Sequence, residues 1–152
     1  MSKYYSLLRG KYKRRIATRL GVPDYSVFEG WLRELNTMRN RCAHHARVWN
    51  QTYAKLRDSP NEPYFQKLDL SENARTRVFG YIAVLWFLLQ RIGPRPTWTN
   101  DVANVIDRFP SLPGCSKTAL GLDQGLTCFP LEQSGRPQLV RDCSVMSKAL
   151  VE

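Results

Sequence analysis

A chain of 152 residues and 17.6 kDa has room for one domain that buries roughly two-thirds of its unfolded surface, and a hydrophobic fraction of 43% with 11% aromatics excludes an intrinsically disordered chain. Its 23 Lys and Arg against 13 Asp and Glu give a formal charge of +10, and the excess is concentrated: residues 1–60 hold 13 basic and 4 acidic side chains (net +9), residues 61–152 hold 10 and 9 (net +1). Clustered cations of this kind gain affinity by displacing counterions from a phosphate backbone, so the composition points to a nucleic acid partner. The longest apolar run, the 12 residues from Val78 to Leu89, falls short of the ~20 that span a bilayer, and Met1 to Arg15 lacks the apolar stretch of a secretory signal. A cytoplasmic protein without a membrane partner is expected. Cys42, Cys115, Cys128 and Cys143 lie far apart with no C-x-x-C pair, which predicts reduced thiols. Cys42 and His44 have no second ligand pair to complete a structural zinc site, so neither a metal nor a cofactor is expected.

In chain order, Tyr4, Leu7, Leu8, Tyr12, Ile16 and Leu20 recur at three- and four-residue intervals, predicting one amphipathic helix over residues 4–20 that stops at Gly21-Val22-Pro23. Asp24 or Ser26 then caps a second helix, Ser26 and Glu29 having capping-box spacing. Its apolar stripe runs through Phe28, Leu32, Leu35, Met38 and Cys42 to a pair of histidines. Helical character is expected to persist or restart through Val48, Trp49, Tyr53 and Leu56, until Ser59-Pro60-Asn61-Glu62-Pro63 imposes a loop. Ser71 caps a segment reaching Ile92, apolar nearly all round and so predicted to be the central helix. A short helix follows from a Thr99-Asn100-Asp101 cap, with Val102, Val105, Ile106 and Phe109 on one face. Beyond Pro110, recurrent Pro and Gly erase any period. The sequence thus predicts an all-α fold, with residues 1–110 a helical domain and residues 111–152 an irregular, loop-rich C-terminal tail.

The chain's two histidines are adjacent, in Arg39-Asn40-Arg41-Cys42-Ala43-His44-His45-Ala46-Arg47-Val48-Trp49-Asn50. A neutral imidazole takes a proton from a ribose hydroxyl while guanidinium groups hold the phosphate, so His44 beside Arg39, Arg41 and Arg47 has the parts of a metal-free ribonuclease. On a helix, Asn40 and His44 share a face, with Arg39 about 100° away. Arg39 and His44 therefore meet at one phosphate only if the helix bends or a second chain contributes. An arginine five residues before a histidine is a weak pattern in a chain with 16 arginines, and the plain alternatives are a histidine-capped helix end and a solvated basic face. The basic run Lys11-Tyr12-Lys13-Arg14-Arg15 is a second candidate RNA contact, or else also a solvated face. Trp31 and Trp86 sit in periodic apolar segments and belong to the core. Trp49 either packs under the histidine helix or lines a groove beside it.

Trp31-Leu32-Arg33-Glu34-Leu35 followed by Arg39-Asn40 and Cys42-Ala43-His44-His45-Ala46-Arg47-Val48-Trp49-Asn50 closely resembles the W-L-x-x-L…R-N-x-C-A-H-H-x-R-L-W-N stretch of the bacterial Abi-like (abortive infection, AbiD/AbiF type) proteins, members of the HEPN superfamily. The likeness extends to the apolar helix Phe79 to Leu89, to Pro96-Thr97-Trp98 and to Leu120-Gly121-Leu122. It implies a HEPN-like helical bundle acting as a metal-independent endoribonuclease in anti-phage abortive infection or as a toxin, with two motifs paired across a homodimer to form a composite active site. His44 would be the base or acid at the 2′-hydroxyl, Arg39 would stabilise charge on the phosphate, and Asn40 would orient one of them. His45 and Arg47 would be accessory. On their own chemistry, Arg41, Lys11, Lys13, Arg14 and Arg15 are the expected RNA contacts. The product would carry a 2′,3′-cyclic phosphate, and an antitoxin or regulatory RNA or protein would restrain the activity. Family members are generally considerably longer, this chain corresponding to their C-terminal portion. The alternative is a non-catalytic RNA-binding or dimerisation module that keeps the HEPN core; a basic helical scaffold without a nucleic acid role is a third reading.

Overall fold

A computed structural model of the chain describes residues 2–57, 62–93, 96–110, 112, 113 and 115–122. The fold is all-α. Helices α1 (Ser2–Leu7), α2 (Gly10–Arg19), α3 (Tyr25–Ala43), α4 (Pro63–Leu68), α5 (Glu72–Arg75), α6 (Val78–Ile92) and α7 (Pro96–Asp107) are followed by a 3-10 turn at Lys117–Leu120. Among the described residues the sole β-type pairing is an isolated bridge between Leu112 and Cys115. No helix among them is long and apolar enough to cross a membrane.

α6 is the central helix because its sequence is apolar on opposite faces. Tyr81, Val84 and Leu88 step by three and four into one core with Val27, Phe28 and Trp31 of α3. Phe79, Ala83 and Trp86 step likewise into a second core with Leu68, Leu70, Ile106, Leu120 and Leu122. Trp31, 1% exposed, joins the first core to the segment beyond the histidines: its ring packs on Phe65 and Phe87, with centroids 5.3 and 5.8 Å away, and its Nε1–H donates to the Arg57 carbonyl at 2.8 Å. Gly80 lets α5 and α6 meet, since a Cβ there would lie 2.4 Å from the Ala74 carbonyl oxygen.

The predicted N-terminal helix divides in two. The chain is extended at Arg9, and the kink turns Tyr5 inward, edge-on to Phe28 at 5.1 Å, with its hydroxyl donating to the Lys13 carbonyl at 2.8 Å. The buried positions of this region are Tyr5 and Ala17, so the stripe expected to be internal faces outward: Tyr4 and Leu7 are largely exposed, and Leu8, Tyr12 and Ile16 partly so. At α3, Asp24 provides the cap by accepting the Ser26 N–H at 2.7 Å. The Ser26–Glu29 capping box does not form, because Glu29 pairs with Lys13 of α2 at 3.0 Å. The apolar stripe of α3 fades before Cys42, which is exposed.

Helix does not restart through Val48–Leu56; this stretch is a turn followed by chain with no regular secondary structure. Its donors are satisfied across the fold, Tyr53 and Leu56 N–H donating to the carbonyls of Thr76 and Arg75 at 2.8 and 3.1 Å. Ser71 caps the four-residue α5, which breaks before α6 begins at Val78, so the predicted single segment is two. α4 and the start of α7 at Pro96, ahead of the expected cap, are the helical additions. On α7 Ile106 is buried while Val105 is exposed. Of the expected C-terminal tail, Leu120 and Leu122 are buried in the second core; residues 123–152, with Cys128 and Cys143, lie outside the described residues, as do Ser59, Pro60 and Asn61 of the predicted loop.

Candidate active site

The histidine pair is the C-terminal cap of α3. His44 is the C-cap residue, its N–H donating to the Asn40 carbonyl at 3.0 Å. His45 follows with φ 52°, in the left-handed region. The His45 N–H donates to the Cys42 carbonyl at 3.1 Å and the Ala46 N–H to the Arg41 carbonyl at 2.9 Å, the two bonds of a Schellman motif. Glycine usually takes this position because it has no Cβ to clash. A histidine there carries backbone strain, and such strain clusters at functional sites. The helix ends here to turn two imidazoles into solvent, one at its last turn and one just beyond.

Arg39, Asn40, His44, His45 and Arg47 are all exposed at this end of α3. The Arg39 Nη1 donates to the Asn40 Oδ1 at 2.9 Å, so the side chains bridge the 100° that separates these positions on the helix. Among the described residues no hydrogen bond joins Arg39 to His44. One chain thus presents an arginine–asparagine pair and an imidazole about one turn apart on an exposed helix end.

Arg41, expected among the RNA contacts, is half-buried behind the motif. Its guanidinium stacks on the Tyr53 ring, 5.2 Å from the centroid, and its Nη1 donates to Gln51 Oε1 at 3.3 Å. Tyr53 in turn donates its hydroxyl to the Val48 carbonyl at 3.2 Å and packs on Tyr81 at 5.0 Å. Tyr81 donates to the Ala54 carbonyl at 3.0 Å. This chain of contacts fixes the segment that returns from the histidine turn to α6, and Arg41 is its link to α3. Burial raises the pKa of the Tyr53 hydroxyl, against the opposing pull of the Arg41 charge, and burial raises that of Tyr81 as well. Sequence reasoning missed this support because Gln51, Tyr53 and Tyr81 belong to three separate segments with no shared period.

Trp49 resolves toward packing: its ring lies 5.7 Å from Phe109. It also forms one wall of an apolar cleft of about 340 Å³ with Val78, Ile82, Val102 and Val105. Trp31 and Trp86 are core residues, as expected. Of the N-terminal basic run, Lys11, Arg14 and Arg15 face solvent, whereas Lys13 turns inward to Glu29 and the Tyr5 ring. Among the described residues no group of three or more His, Cys, Asp and Glu side chains comes close enough to hold a metal ion, and Cys42 and Cys115 are free thiols.

These residues lie in a segment with relatives. Residues 1–50 match the Abi-like protein family. The Abi-like segment contains α1 to α3 and the whole histidine turn, and the match ends at Asn50, before α6 and Leu120–Leu122. Membership of the HEPN superfamily is consistent with this family match. No curated protein and no solved structure matches the chain.

Proposed function

We propose that the chain is a metal-independent endoribonuclease of the abortive infection class, cutting RNA at the exposed end of α3. The observation that carries this reading is the grouping of Arg39, Asn40, His44, His45 and Arg47 on one solvent-facing helix end, inside the Abi-like segment. His44 takes the proton of a ribose 2′-hydroxyl. The freed oxygen attacks the adjacent phosphorus, the bond to the 5′-oxygen breaks, and that oxygen leaves with a proton from an acid. The products are a 2′,3′-cyclic phosphate and a 5′-hydroxyl end. Arg39 neutralises charge on the phosphoryl oxygens in the transition state, held in its rotamer by Asn40. His45 and Arg47 are accessory groups at the same surface.

A second proton-transfer group and a concave site both come from a second copy. Two α3 ends facing each other would enclose one phosphate between the His44 of one protomer and the Arg39 of its partner, which is why Arg39 and His44 need not touch within a chain. An antitoxin or regulatory RNA or protein that covers this end would silence the enzyme.

The test pairs activity with binding. His44→Ala abolishes cleavage while the helical circular dichroism spectrum and affinity for an uncleavable RNA stay close to wild type. Binding without cleavage by the wild-type chain would instead favour a non-catalytic RNA-binding module. Cleavage that requires added magnesium would contradict the metal-independent chemistry assigned to His44 and Arg39.

A further inference from the structure

Helix α2 carries a second basic surface, remote from the histidine turn. Lys11, Arg14, Arg15, Thr18 and Arg19 line one open depression of about 540 Å³. Their spacing of 3, 1, 3 and 1 residues puts all five on one face at 100° per residue. The opposite face is the buried one, with Ala17 fully enclosed and Lys13 paired to Glu29. Among the described residues no carboxylate pairs with Lys11, Arg14, Arg15 or Arg19, so four cations converge on solvent without a counter-charge. Two aromatic rings accompany them: the Lys11 ammonium lies 5.0 Å from the centroid of Tyr12, itself 47% exposed, and the Arg14 guanidinium lies 6.0 Å from that of Tyr25.

We infer that this face of α2 is a docking site for the phosphate backbone of single-stranded RNA, a capture site separate from the cleavage motif. From Lys11 to Arg19 the face runs about 12 Å at ~1.5 Å per residue, long enough to meet about three phosphates of a strand that keeps the stacked spacing of ~3.4 Å per charge. Tyr12 at its margin supplies a stacking surface for a base. A linear polyanion fits better than an anionic bilayer, because the solvent face of α2 is mainly cationic. Its apolar contribution, Tyr12 and Ile16, is confined to one edge and only partly exposed, whereas an interfacial helix sinks a broad apolar face into lipid.

The placement along α3 adds a length requirement, which rests on the cleavage reading above. α2 seats on the first turns of α3 through Lys13–Glu29 and Arg14–Tyr25, while the motif lies at the last turn. The separation is about 15–30 Å along the helix axis at ~1.5 Å per residue. A stacked strand engaging both sites therefore needs about four to nine nucleotides between them at ~3.4 Å each.

The test uses 2′-O-methyl RNA, which binds but offers no 2′-hydroxyl to attack, so its outcome is independent of whether the motif cleaves. With a labelled 12-mer, the variant Arg14→Gln/Arg15→Gln/Arg19→Gln is expected to bind roughly tenfold or more weakly, and the plot of log affinity against log salt to flatten by about 2, near 0.7 per lost phosphate contact on a single strand. The charge-matched control Lys55→Gln/Arg108→Gln/Lys117→Gln, altered at exposed positions elsewhere, keeps wild-type affinity and slope. Should the triple variant lose its helical spectrum, Lys11→Gln/Arg14→Gln serves in its place, with a slope change of about 1.4. Equal losses in variant and control would overturn the assignment in favour of diffuse attraction. An unchanged slope in the α2 variant would overturn it too, as would wild-type binding to phosphatidylserine vesicles but not to the oligonucleotide.

Discussion

At the residue scale, the adjacent histidines have distinct backbone duties. His44 terminates the helix and His45 takes the left-handed position after it. A non-glycine residue there costs about 1–2 kcal/mol, and glycine's extra unfolded-state entropy offsets roughly half of that. His45→Gly should therefore melt at or slightly above the wild-type temperature, while His45→Val, β-branched at positive φ, should melt lower by about 1 kcal/mol or more. A melting order with valine above glycine would show that the turn is not left-handed in solution. Asn40→Ala removes the acceptor that holds Arg39. In the proposed mechanism Arg39 acts on charge that develops in the transition state, so the loss should fall on kcat more than on KM, with little change in stability at an exposed site.

At the element scale, α3 carries both the fold and the site, and Trp31 connects them. Trp31→Ala removes a fully buried ring and the bond to Arg57, and should cost about 3–5 kcal/mol, read as a fall in denaturant midpoint; a change under ~1 kcal/mol would contradict its placement in the core. The central helix α6 and α3 were legible in the sequence because a continuous apolar run and a repeated three-four step survive any detail of packing. The α1–α2 break was not, because Tyr4, Leu7, Tyr12 and Ile16 show the same period as a buried stripe while the core selects Tyr5 and Ala17. The end of α3 was hidden for a related reason: histidine is no helix breaker, and only the paired bonds from His45 and Ala46 stop the helix there. That Arg39, Asn40 and His44 lie within about a turn of one another followed from their spacing, whereas their candidate roles came from the family resemblance. The role of Arg41 was not legible, since it depends on Tyr53, twelve residues on and in a segment with no regular secondary structure.

At the scale of the whole molecule, four tyrosine hydroxyls are tied to the packed interior. Burial pushes Tyr5 up to about 12 from an ordinary value of 10.0, with Glu29 and Tyr25 adding to the effect, and burial likewise raises Tyr53, Tyr64 and Tyr81. A raised folded pKa means that the stabilisation is complete below pH 10 and is lost as pH climbs toward 12. The molecule should unfold in that window, with phenolate absorbance and loss of helical signal rising together; full ionisation of the tyrosines with the helices intact would contradict it. Acid acts in the opposite sense. The bond from Ser26 lowers the Asp24 carboxyl below its ordinary 3.8, so the α3 cap persists above that value and weakens as pH falls through the lowered one. Assembly is tested by mixing His44→Ala with Arg39→Ala chains: a composite site recovers part of the activity in heterodimers, whereas a mixture no more active than either variant alone, with a monomer on sizing, removes the second protomer from the mechanism.

The most direct measurement is to incubate the purified protein and its His44→Ala variant with total RNA in EDTA and to determine the chemistry of the fragment ends. Cleavage by the wild type alone, leaving 2′,3′-cyclic phosphate and 5′-hydroxyl ends, is the predicted result. Intact RNA with both proteins, or equal cleavage by the variant, would contradict a ribonuclease centred on His44.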